Sequence, residues 1–69
     1  MANEHIERMI VEHRELTEKI QALNIFIYSS KIFQALDGAE KARMIKQAGF
    51  MEEYAQVLDS RIWVGVSNV

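Results

Sequence analysis

The sequence predicts an all-α protein, a two-helix antiparallel hairpin that assembles into a homo-oligomeric helical bundle. Three observations lead there. No proline and only three glycines interrupt the 69 residues, a composition that favours long helices. Apolar residues recur at alternating steps of three and four, which is the rotation of one helix face and not the alternation of a strand. The later of the two periodic segments carries two apolar stripes, and a single antiparallel neighbour can cover only one.

Helix 1 is expected over about residues 4–28. Its seam is Ile6, Met9, His13, Leu16, Ile20, Leu23 and Ile27, about three heptads with one histidine in the row. Asn3 suits the N-cap, and Glu4 and Glu7 stand where the helix dipole favours acids. A connector follows at 29–37, because Ser29 and Ser30 fall where the seam would continue and both prefer caps and turns. One short helical turn fits inside it, with Ile32, Phe33 and Leu36 folding back to plug the end of the hairpin. Asp37 and Glu40 have the spacing of a capping box, so helix 2 is expected from Gly38 to about Val64. A frayed tail is expected over 65–69. Residues 1–69 read as one domain.

Helix 2 carries two rows. The first is Met44, Ala48, Met51, Ala55, Leu58 and Ile62; the second, rotated by about 100°, is Gln47, Phe50, Tyr54, Val57, Arg61 and Val64. A strip holding two aromatics and a valine, left in water, usually marks an interface. Ala48, Gly49 and Ala55 are small enough to admit a second helix closely. Contacts between the second helices of neighbouring subunits are therefore expected.

Size and composition point the same way. A chain this short barely offsets the entropy of ordering itself without disulfides, metals or partner subunits. It has no cysteine and two histidines, which leaves self-association. The net charge of −2 is spread among interspersed acids and bases, with no basic stripe for nucleic-acid phosphates. No apolar run reaches a membrane span, and Met1 to His5 lack the basic start and apolar stretch of a signal peptide. The expected location is the cytosol, with neither a nucleic-acid nor a membrane partner.

The candidate sites each admit two readings. His13 could be a metal ligand or a pH switch, but no second ligand stands four residues away and His5 is two turns off; it reads as a hydrogen-bonded histidine at the oligomer contact, and no metal site is assigned. Tyr28, Ser29, Ser30 and Lys31 offer an aromatic face, two hydroxyls and an ammonium that suit a nucleotide; alternatively the serines cap helix ends and Lys31 is solvated. Gln47 and Arg61 share the outer row with Tyr54. They either make interchain hydrogen bonds, with Arg61 on Glu12 or Glu15, or line a pocket created by assembly. Arg8, Lys19, Arg43 and Lys46 read singly as a solvated face or as an anion site. Trp63 could stack a base or anchor a neighbouring subunit. With His13, the residues Phe50, Tyr54, Val57, Arg61 and Trp63 form the expected oligomer interface.

Catalysis finds little support in the pattern: there is no glycine-rich phosphate loop, no serine in an elbow context and no acid array at metal spacing. The chain is expected not to be an enzyme and to need no cofactor.

His5 to Ile10 with Glu12, Leu16, Lys19, Ile20, Leu23, Phe26 and Ile27, followed by Phe33, Leu36, Met44, Gln47, Met51, Tyr54, Leu58, Arg61 and Ile62, resembles a group of short tailed-phage proteins of unassigned role. The likeness covers nearly the whole chain. More remotely, the paired helices resemble the hairpin domain of phage anti-CBASS and anti-Thoeris sponges. Those proteins form hexamers that sequester cyclic nucleotides signalling infection and do not cleave them. The resemblance implies a phage homo-oligomer in the host cytoplasm that binds a cyclic nucleotide, with Arg8, Lys19, Tyr28, Ser29, Ser30, Lys31, Gln47, Tyr54 and Arg61 as candidate ligand-binding residues. The rival reading is a small helical adaptor or inhibitor whose outer stripe docks a host or phage protein.

Overall fold

The chain, described over residues 2–67 by a computed structural model, is helical throughout, with no strand among the described residues. Helix α1 spans Ala2–Ser29, the short α2 spans Lys31–Ala35 and α3 spans Gly38–Ser67. The two long helices lie antiparallel: Asn24 Nδ2 of α1 donates to Glu52 Oε1 of α3 at 3.3 Å, while Ile6, near the other end of α1, meets Gly65. The result is a rod of 49 × 15 × 14 Å, two helices thick and about as long as a 30-residue helix at roughly 1.5 Å per residue.

Two extended residues divide the helices. Ser30, at φ −86° and ψ 130°, ends α1 and caps α2, its hydroxyl accepting from the amides of Ile32 and Phe33 at 3.1 and 3.4 Å. Leu36, at φ −70° and ψ 156°, ends α2 in the same way. Asp37 then caps α3, its Oδ1 accepting from the Glu40 amide at 2.7 Å. The capping box is only half made. The Glu40 carboxylate accepts from Arg43 Nε at 2.9 Å, an i,i+3 pair on the exposed first turn.

The inward faces are the rows that the periodicity marks. Met9, Leu16 and Ile20 of α1 are buried against Ala48 and Leu58 of α3, with Ile6, His13, Leu23 and Ile27 half-buried beside them. Leu58 is the best covered, at 1 % exposure. Phe33 closes the connector end: its ring stands edge-on to Phe26 at 6.1 Å, and Lys41 Nζ lies 5.9 Å from the Phe33 centroid.

Four expectations change. Helix α1 already includes Asn3, so Asn3 stands in the first turn and not ahead of it as a cap. Ile32 is exposed while Phe33 and Leu36 turn inward, because one turn of α2 can aim only part of its surface at the hairpin. The expected fray from residue 65 is absent as far as Ser67; α3 runs on because Gly65 lets the Ile6 side chain pack directly on its backbone. Residues 68 and 69 lie outside the described residues. Of the three small residues expected to admit another helix, Ala48 is buried and Ala55 half-buried against α1, and Gly49 alone faces outward.

Candidate functional site

On α3, Arg43, Gln47, Phe50 and Tyr54 follow one another at three- and four-residue steps, and Lys46, next to Gln47, stands four residues before Phe50, which sets all five on one side of the helix. With Met51 at its edge they line an open groove of about 390 Å³. The position follows from packing. The row through Ala48 and Leu58 meets α1, and the adjoining row, turned by about 100°, has no helix of its own chain to cover it.

The groove combines flat apolar walls with cationic and amide groups. Phe50 is 61 % exposed and Tyr54 47 %. Lys46 Nζ lies 5.8 Å from the centroid of the Phe50 ring, a cation–π arrangement that holds the ammonium beside an aromatic face. Arg43 is steadied by Glu40, and one carboxylate on a guanidinium leaves further donors in the fork. Gln47 Nε2 is 3.8 Å from the Met51 sulfur, a weak acceptor, so the amide retains hydrogen-bonding capacity for another partner. Such a surface can stack a planar ring and neutralise an anion beside it.

The other sequence candidates are dispersed along the rod. Val57 and Arg61 continue the stripe of Phe50 and Tyr54 toward the terminal end, and both are exposed. Lys19 is an exposed residue of α1, at the level of Tyr54 in the register that Asn24–Glu52 and Ile6–Gly65 define. Arg8 lines a separate depression of about 500 Å³ with Glu4, Glu7 and Val11, where two carboxylates counter its charge toward an anion. At the connector end the serine hydroxyls serve the backbone: Ser29 donates to the Ile25 carbonyl and Ser30 caps α2. Tyr28 and Lys31 stand exposed on either side of them. His13 is half-buried in the seam, and its carbonyl accepts from Thr17 Oγ1 at 2.8 Å. Trp63, 67 % exposed, borders a different small depression with Asp59, Ile62 and Val66.

The structure thus joins Gln47 and Tyr54 and adds two residues that single-residue reasoning leaves as solvated charge, Arg43 and Lys46. Their spacing from Phe50, seven and four residues, is the signal that could have found them. Among the described residues no group of three or more His, Asp or Glu side chains is placed to hold a metal ion, and no helix is long and apolar enough to cross a membrane.

A family model described as Sequestin matches residues 3–64. No curated protein and no solved structure matches the chain.

Proposed function

Because the chain belongs to the Sequestin family, whose name denotes sequestration, we propose that it binds and withholds a cyclic nucleotide immune signal, without cleaving it, as a phage anti-defence protein in the host cytoplasm. The observation that carries this reading is the groove on α3. Aromatic faces at Phe50 and Tyr54, cations at Arg43 and Lys46 and the Gln47 amide stand together on the face that the hairpin leaves uncovered. A cyclic nucleotide presents the matching chemistry, a flat base beside a phosphate that carries full negative charge.

The groove of one copy is too open to bury such a ligand, and tight small-molecule sites cover most of theirs. Copies meeting along α3 would close it and would deliver each cation and each ring more than once from one short sequence. Arginine, lysine, glutamine, phenylalanine and tyrosine in this arrangement bind and orient; capture needs nothing more. A protein that only withholds its ligand acts by mass action, so its abundance and affinity set how much signal escapes.

Calorimetry and thermal shift against cyclic di- and trinucleotides and cyclic ADP-ribose isomers test the reading. Saturable heat with one member, a raised melting temperature and recovery of the intact ligand on denaturation are expected. No heat and no shift with any member would overturn it, and stabilisation by a protein partner alone would put the adaptor reading in its place.

A further inference from the structure

Gly49 sits in the middle of α3, on the side facing away from α1, and a Cβ built there would meet nothing within 4 Å. Glycine inside a helix weakens it relative to alanine, and nothing within the hairpin calls for one at this position. The charges around it are divided. Lys41, Arg43 and Lys46, with Glu40, precede Gly49, and Glu52, Glu53 and Asp59, with Arg61, follow it, so the helix is net positive before Gly49 and net negative after it.

Glu52 already accepts from Asn24, and Arg43 already pairs with Glu40. Lys46 and Glu53 have no ion pair among the described residues. At about 100° per residue, Ala42, Lys46, Gly49, Glu53 and Gln56 fall within roughly 80° of one another. Exposed Ile45 and Phe50 flank that sector.

We propose that a second copy of this chain packs antiparallel on the outer face of α3, the two helices crossing at Gly49. The occupant follows from charge complementarity. Reversing α3 about Gly49 lays its net basic half on the net acidic half of its mate, with Lys46 of each copy within one residue of level with Glu53 of the other. A parallel crossing would set like charges together. The two-fold axis makes each pair occur twice, as an isologous interface requires, and the absent side chain at Gly49 lets the backbones approach where they cross.

The same crossing sets the two grooves that begin at Arg43 and Lys46 side by side, so each copy lends its Phe50 and Lys46 to a shared cleft. This last step rests on the reading of the groove as a nucleotide site. The crossing itself does not, and its test is read in mass and not in ligand binding.

The test is sedimentation of the whole protein and of three variants, Lys46→Glu, Glu53→Lys and the double exchange, with circular dichroism confirming that each stays helical. The expected result is a wild-type oligomer, association weakened at least about tenfold by either single reversal and restored by the exchange. In addition, Gly49→Cys, the sole cysteine in the chain, is expected to form a disulfide-linked dimer under mild oxidation, while a cysteine at exposed Gln21 on α1 is not. A monomeric wild type, single reversals without effect, an exchange that fails to restore mass, or equal crosslinking at both positions would overturn the proposal.

Discussion

Gly65 and Ile6 pin the two ends of the chain together: a Cβ on Gly65 would lie 3.2 Å from Ile6 Cγ1 and 3.4 Å from its Cδ1. The contact is a ridge fitted to a bare backbone. It holds the last turns of α3 on the first turns of α1, where helices otherwise open.

Gly65→Ala is expected to change stability by less than about 0.5 kcal/mol, because the gain in helix propensity is offset by displacing Ile6 a few tenths of an ångström. Gly65→Leu has no such balance. It should push Ile6 off α3 and cost more than about 1 kcal/mol, with amide exchange accelerating at residues 4–9 and 60–67 ahead of the rest. Uniform exchange in both variants would show that the contact does not hold the terminal end.

Leu58 is the side chain that the hairpin covers best, at 1 % exposure. Its truncation to alanine opens a void that two helices cannot collapse around, and the expected loss is about 2–4 kcal/mol. Val57→Ala, one residue away and 60 % exposed in the single chain, removes fewer buried contacts. Urea midpoints for the two variants should separate clearly when compared at a concentration where association is weak. Equal losses would mean that assembly, and not the hairpin core, governs folding.

Asp37 and Ser30 each satisfy amides that the helix starts leave without partners. Asp37→Ala is expected to cost about 1 kcal/mol and Ser30→Ala a similar or smaller amount, since α2 is a single turn. Ser29→Ala, whose hydroxyl only donates back to the Ile25 carbonyl, should be close to neutral. Thermal melts at fixed protein concentration rank the three. A neutral Asp37→Ala would show that α3 starts without its cap.

Phe50→Ala and Tyr54→Ala remove exposed rings of the groove and are expected to weaken nucleotide binding by about 1–3 kcal/mol each, the usual worth of a stacked base. Neither ring is buried by its own chain, so the helical signal should persist. Tyr28→Ala and Lys31→Ala at the connector end are expected to leave affinity unchanged, because the serines between them are tied to the backbone. Binding lost in the second pair and kept in the first would move the site to the connector.

Much of the hairpin is visible in the residue order. The row through Met9, Leu16 and Ile20 and the row through Ala48 and Leu58 are the buried faces, since a helix repeats at about 3.6 residues whatever it packs on. The Asp37 cap is equally local, formed with an amide three residues away. Of the candidate site, Gln47 and Tyr54 were legible as polar and aromatic members of an uncovered row. Arg43 and Lys46 were not distinguished from ordinary solvated charge, because only the open side of α3 beside Phe50 shows what they border.

Rotation about a helix axis is a property of the chain alone, so residue order is enough to set which rows are apolar and where the connector falls. Register between helices depends on which side chains interlock. That decided which of Ile32 and Phe33 turns inward and whether α3 ends at Val64 or continues past Gly65 onto Ile6. Each of these outcomes is a competition among contacts separated in sequence, and only the packed structure ranks them.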